Sequence, residues 1–207
     1  MVLARHDEAA IVRWGEFLVT PGLPPTLVTA LEALVDALDG FEFALIGGQA
    51  VFLHGYQRFS KDLDVGVIVP VKQVAARLRE RGFVPAGGAR FYEPLTRVSV
   101  DVVKLPRCAI PSVKAPDRYP VGARSIPVID LETLLALKVK LGRARDEADV
   151  VELLKTGRAL DAARLSQLLR GLGEEPASFE RLAERARREQ ELEREGPPED
   201  EPEAEGE

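Results

Sequence analysis

The sequence predicts an α/β domain of the α+β type: a small mixed β-sheet with flanking helices, followed by a helical C-terminal region. Three observations carry this expectation. Apolar, β-branched runs of strand length at 41–47, 61–70 and 96–105 alternate with segments of helical period. Gly and Pro stand at the joins between them. Beyond residue 130 the leucines recur at helical spacing, as on the inner faces of packed helices. The expected organisation is N-terminal helices over 1–40, a core over 41–130, a helical region over 131–188 and an acidic, unstructured tail over 189–207.

Ala10, Ile11, Trp14, Phe17 and Leu18 share one helical face, and Pro21 ends the run, so a helix is expected over 7–19. A second helix starts at Pro25-Thr26 and stops near Gly40, a residue suited to the position after a helix end. FEFALIG (41–47) reads as a buried strand, Gly47-Gly48 breaks it, and QAVFLHG forms two helical turns. KDLDVGVIVP is a strand closed by Pro70, VKQVAARLRERG an amphipathic helix closed by Gly82, and TRVSVDVVKL (96–105) a third strand. The proline-rich segment over 106–129 holds one short strand near 125–129. Asp130 caps the helix LETLLALKVKLG, and three more helices follow, over RDEADVVELLKTG, over 161–171, and from about Ser178 into the tail.

Composition narrows the class. With 45% hydrophobic and 30% charged residues, the chain suits a soluble globular core. Its apolar stretches are too short to span a bilayer, and the start MVLARHDEAA has acids where a signal peptide needs an apolar run, so a cytoplasmic protein is expected. The lone Cys108 excludes an internal disulfide and is expected to be a buried thiol. The net charge of -6 is unevenly spread: residues 189–207 carry ten acids and one base, leaving +3 on residues 1–188. A mildly basic folded part suits an anionic substrate. The absence of Asn, the single Met and Cys, and the preference for Arg over Lys are a bias expected of a thermophile or of GC-rich coding.

The chemistry is concentrated in IGGQAVFLHGYQRFSKDLDVGVIV (46–69). Gly47-Gly48 lets the backbone approach a phosphate, and the helix that starts there directs free N–H groups toward an anion. Asp62 and Asp64 lie two apart on a strand, so both carboxylates share one face while Leu63 and Val65 enter the core. Adjacent carboxylates repel unless a cation lies between them, which is the requirement for a hard divalent ion. Asp101 faces away from Val98, Val100 and Val102, and pairing of its strand with that of Asp62 and Asp64 would bring three acids to one site, enough for two metal ions.

Gly47-Gly48, a spacer of about a dozen residues, and Arg58-Phe-Ser60-Lys61-Asp62-Leu-Asp64 together resemble the signature of the polymerase-β-like nucleotidyltransferase superfamily. The form GGQA…HG…R-x-S-x-D-x-D is most similar to the branch holding bacterial AbiEii-type toxins of toxin–antitoxin systems, and ALKVKLGRARDEADVVEL also resembles that branch. The resemblance covers roughly 41–156. It implies an enzyme that moves a nucleoside monophosphate from an NTP, ATP among them, to a hydroxyl on RNA (tRNA) or protein, with two Mg²⁺ or Mn²⁺ ions. On that resemblance Asp62, Asp64 and Asp101 are the metal ligands and Gly47 and Gly48 form the phosphate loop. Lys138 touches the triphosphate, and Asp149 orients it or fixes the helix packing. Many members of the superfamily have Gly-Ser where this chain has Gly-Gly, which costs one phosphate hydrogen bond. The rival readings are a transferase for small molecules, of the antibiotic-modifying kind, and a non-catalytic antitoxin or binding relative.

Several neighbours have plainer readings. Arg58 and Ser60 are counted with the nucleotide-binding residues on the resemblance; on the plainer readings Arg58 pairs with Asp62 and Ser60 bonds to backbone ahead of the strand, while Lys61 points away. Lys138 follows Leu134 by four on a helix whose apolar face is expected at Leu134, Leu135, Leu137 and Leu141, so its ammonium needs an anionic partner. Asp146 and Asp149 suit a helix start, and His54 is expected to pack rather than catalyse.

Overall fold

The computed structural model describes residues 23–58 and 60–195, together with two short strands ahead of them, β1 (Val12–Trp14) and β2 (Phe17–Val19). These two pair antiparallel, Trp14 opposite Phe17. Where it is described, the segment expected as one helix over 7–19 is therefore a β-ribbon. Val12, Trp14, Phe17 and Val19 are β-branched or aromatic, and Gly15 between the two halves is a poor helix former.

The main sheet is built from β3 (Phe43–Ile46), β4 (Asp62–Val67), β5 (Val84–Gly87), β6 (Arg90–Tyr92), β7 (Ser99–Lys104), β8 (Asp117–Val121) and β9 (Arg124–Val128). Their spatial order is β5-β6-β7-β4-β3-β9-β8. β4 runs parallel to β7 and β3 parallel to β9, and the other neighbours are antiparallel. This is the mixed sheet expected. β5, β6 and β8 were not legible in the sequence. All four residues of β5 are exposed, so it has no inward-outward alternation, and Pro85 and Pro120 are tolerated because β5 and β8 are edge strands.

Register is set by burial. β4 turns Leu63, Val65 and Val67 into the core, each fully buried. Val100 and Val102 lie beside Leu63 and Val65, and Phe91 lies opposite Val100. Each such side chain contributes about 1.5–3 kcal/mol. A slip of one residue would reverse every face and drive Asp64 into the apolar layer.

The helices are α1 (Pro25–Ala37), α2 (Gly47–Leu53), α3 (Val71–Glu80), α4 (Ile110–Lys114), α5 (Leu131–Leu141), α6 (Ala144–Lys155), α7 (Ala162–Gly171) and α8 (Pro176–Glu195). α5 begins as expected: the Asp130 carboxylate accepts the N–H of Thr133 at 3.0 Å, and Gly142 closes the helix at φ 58°. On α5, Leu134 and Leu135 are buried, but Leu141 is 55% exposed, because the last residue of the helix overhangs the core. α8 continues to Glu195, so residues 189–195, expected in the unstructured tail, are helical. Lys155 of α6 pairs with Glu189 and Glu193 there, and the Gln190 side chain donates to the Lys155 carbonyl at 2.9 Å. One hydrophobic cluster runs from Leu23 to Ala186 and joins the sheet to the C-terminal helices. Cys108 is half-buried rather than buried, with its Cβ close against Gly171. Among the described residues no helix is long and apolar enough to cross a membrane.

Candidate active site

The parallel pairing of β4 with β7 sets Asp64 directly beside Asp101 and Asp62 beside Ser99. Asp62, Asp64 and Asp101 therefore lie on one face of the sheet, opposite the face of Leu63, Val65, Val100 and Val102. Asp62 is exposed and Asp64 half-buried. Burial pushes the Asp64 carboxyl above its ordinary value, and the charges of Asp101 and Asp62 push it further, against the N–H of Gly48 and the charge of Lys138. The three side chains on this face offer only carboxylate oxygens, the donor type a hard divalent cation takes.

The diglycine turn has a specific steric task here. Gly47 sits at φ +66°, and a Cβ on it would fall 2.0 Å from Oδ2 of Asp64. A Cβ on Gly48 would fall 2.7 Å from the Ser60 hydroxyl. The backbone at the start of α2 is thus pressed against the β4 acid, close enough for the Gly48 N–H to oppose the rise of that carboxyl. The Gln49 side chain donates to the Ser60 carbonyl at 2.7 Å, fixing the approach to β4. The Ser60 hydroxyl donates to the Asp62 carbonyl at 3.4 Å, the local backbone bond expected of it, and Lys61 is exposed.

Behind this turn lies a buried ionic network. Lys138, only 4% exposed, donates to Asp146 at 2.9 Å and to Asp149 at 2.6 Å. The anionic partner expected for Lys138 is therefore supplied by α6 of the same chain. Arg58 pairs with Asp149 rather than with Asp62, and Arg143 pairs with Asp146 at 2.5 Å. Burial alone would raise the Asp146 carboxyl, but hydrogen bonds from Arg143 and Lys138 outweigh it and hold the group below its ordinary value. Asp149 thus joins the first turns of α6 to α5 and to the loop ahead of β4. Arg58 also lines a cleft of about 280 Å³, with Gln49 and Ser60 beside it and Leu23, Leu27 and Phe52 as apolar wall. Its Nε is buried there without a hydrogen-bond partner.

One residue escaped the sequence reading. Arg90 on β6 lies directly opposite Asp101 and grips it with two bonds, Nε to Oδ1 and Nη2 to Oδ2, each 2.8 Å. Its signal would have been the β5–β6 hairpin, which exposure and Pro85 concealed. Among the described residues no group of three or more His, Cys, Asp or Glu side chains is arranged to hold a metal ion. At Asp101 the guanidinium takes both carboxylate oxygens. His54 is fully buried at the end of α2 and bonds to the Ile129 carbonyl at 2.7 Å, a packing role.

No protein-family model matches the chain, and no curated protein matches it in sequence. Solved structures do. The chain is similar to an antigenic nucleotidyltransferase-like protein from Paracoccidioides brasiliensis, at 15% identity and a TM-score of 0.50, over 77% of this chain and 92% of that one. It is also similar to the nucleotidyltransferase toxin MenT4 from Mycobacterium tuberculosis, at 20% identity and a TM-score of 0.46, over 69% of this chain and 62% of that one. A third is the antibiotic-resistance factor ANT(2'')-Ia, at 15% identity and a TM-score of 0.42, over 84% of this chain and 98% of that one. The first of these likenesses establishes a nucleotidyltransferase-like fold.

Proposed function

We propose that this protein is a metal-dependent nucleotidyltransferase that moves a nucleoside monophosphate from an NTP to a hydroxyl and releases pyrophosphate. The observation that carries the reading is the placement of Asp62, Asp64 and Asp101 on one face of two adjacent strands, with Gly47 pressed against Asp64. A scaffold with no ionic task has no reason to keep Asp64 half-buried beside two like charges.

Asp62 and Asp64 would hold Mg²⁺ or Mn²⁺ with Asp101 as the third acid. Bound ions of this kind lower the pKa of an attacking hydroxyl and neutralise the triphosphate. The protein's own contribution is position and charge. Gly47 and Gly48 remove the side chains that would block phosphates from the first turn of α2. Asp101, once free of the Arg90 guanidinium that holds both its oxygens, would help take the proton of the acceptor hydroxyl. Lys138 acts through its charge, since its ammonium is engaged by Asp146 and Asp149. Asp149 holds Arg58, and Arg58 and Ser60 present polar groups to the neighbouring cleft, which neither the two glycines nor the three acids line and which would take a part of the substrate away from the reacting phosphate.

On the resemblance to AbiEii-type toxins, the acceptor is a macromolecular hydroxyl, of RNA or protein, and the chain is the toxin of a toxin–antitoxin pair. The test is incubation of the purified protein with each labelled NTP and Mg²⁺ or Mn²⁺ against cell lysate, followed by separation into RNA, protein and small molecules. Label is expected in RNA or protein and absent with Asp64→Ala. Label confined to small molecules replaces the macromolecular acceptor with a small one, and equal labelling by both proteins ends the enzymatic reading.

A further inference from the structure

We propose that Arg90 belongs to this site as an internal counter-cation, one that holds Asp101 while metal is absent and yields it to a divalent ion. The inference rests on the metal reading given above and concerns what the acids do before the ion arrives.

The geometry singles out this side chain. Arg90, Asp101 and Asp64 form one row across β6, β7 and β4, each directly beside the next on a shared face. The guanidinium meets the Asp101 carboxylate as a two-toothed fork at 2.8 Å on each side, the geometry in which Arg binds a carboxylate most strongly. Both oxygens of the third acid are therefore occupied by a positive group of the chain itself.

Arg90 is also built to leave. Its side chain is 52% exposed and its strand lies next to the outermost strand, so turning the guanidinium into solvent uncovers little apolar surface. The Lys138–Asp149 pair is the contrast, at 5% and 2% exposure, where neither partner can separate without leaving a buried charge. An exposed cross-strand ion pair adds little to stability, so fold maintenance does not account for placing one on the third acid of the row. Competition for Asp101 does: with the arginine seated, the carboxylate of the third acid is already taken, and a divalent ion would have to displace one cation from it to take its place.

Manganese binding to the full chain, measured by the paramagnetic resonance signal of free Mn²⁺ without nucleotide, tests this directly. The variants are Arg90→Ala, Asp101→Asn and the double variant, each checked for native circular dichroism in a chelator. Arg90→Ala is expected to bind Mn²⁺ about tenfold more tightly than wild type, and Asp101→Asn more weakly. In the Asp101→Asn background, removing Arg90 should gain little or nothing, since the competition runs through that carboxylate. Arg90→Lys, which keeps the charge but loses the fork, should fall between wild type and Arg90→Ala. If wild type binds Mn²⁺ and Arg90→Ala binds it equally or less well, the inference is overturned while the metal site stands. It is equally overturned if the gain persists in full in the double variant, because the arginine would then act as a general positive charge. If no form binds Mn²⁺, the metal reading fails and this inference with it.

Discussion

At the scale of single residues, the site depends on what is missing at position 47. Any Cβ there would occupy the position of the Asp64 carboxylate, 2.0 Å from its oxygen, and would stand on a backbone at φ +66°. Gly47→Ala is therefore expected to cost about 1–2 kcal/mol from the backbone alone and to swing Asp64 out of line. A displacement near 1 Å costs roughly a hundredfold in rate, so nucleotidyl transfer should fall by at least about that much. Gly48→Ala carries no positive-φ strain but would meet the Ser60 hydroxyl at 2.7 Å and the Ser60 Cβ at 2.8 Å, so it should disturb the approach to β4 while sparing Asp64 itself, and kinetics and thermal melts of the two variants decide the matter. The acids were readable in the sequence because strand alternation assigns faces from spacing alone: Asp62 and Asp64 fall opposite Leu63 and Val65 whatever the fold. Arg90 was not, since no local pattern announces that a short exposed strand will lie beside Asp101. Lys138 was half-readable. The helical period placed its ammonium toward the core, but only the structure supplies Asp146 and Asp149 as the partners.

Among the elements, two polar clasps hold the helices in place around the site. The first joins α5, α6 and the loop before β4 through Lys138, Asp146, Asp149 and Arg58. Removing one partner from a buried pair costs about 3–5 kcal/mol, so Lys138→Met should lower stability by about 3 kcal/mol in urea titrations. Lys140→Ala, which breaks a half-exposed pair with Glu174, should stay within about 0.5 kcal/mol. The second clasp is His54, which ties α2 to Ile129 at the end of β9 and meets the Tyr119 hydroxyl of β8 at 3.2 Å. Burial holds its pKa below the ordinary 6.5, with the hydrogen bond to Ile129 opposing and the charge of Arg158 assisting. A depressed pKa means the unfolded chain takes up this proton first. Stability from the neutral ring is thus complete above pH 6.5 and is lost as pH falls from there through the lower folded value. Melting temperature should drop over that interval in wild type, and the drop should flatten in His54→Gln. These elements were legible in unequal measure. α1, α2, α3, α5, α6 and α7 carry their own start and stop residues. The ribbon β1–β2 satisfies a helical spacing as well as a strand one, and β5 and β8 owe their existence to neighbours in the sheet rather than to apolar alternation.

Across the whole molecule, the apolar core and the acidic row make opposite demands on the same two strands. β4 and β7 bury Leu63, Val65, Val67, Val100 and Val102 on one face and must therefore present Asp62, Asp64 and Asp101 together on the other. Register cannot relax to spread the charges without exposing the core. The strain remains in the folded state, where Asp64 is raised by burial and by its two neighbours. A group whose folded pKa is raised destabilises the fold once it is ionised, so at neutral pH the metal-free protein should be improved by removing this charge. Asp64→Asn, which keeps the shape and takes away the charge, is expected to melt above wild type in chelator. Added Mn²⁺ should reverse the order. An ion that binds only the folded chain stabilises it by about 2.7 kcal/mol at a hundred times its dissociation constant, worth roughly 5–10 °C for a domain of this size. Wild type should gain that shift and Asp64→Asn little of it, while transfer activity is present in the first and absent in the second. If Asp64→Asn instead melts lower than wild type in chelator, the Asp64 carboxylate stabilises the metal-free fold, and the conflict between core and acidic row is absent.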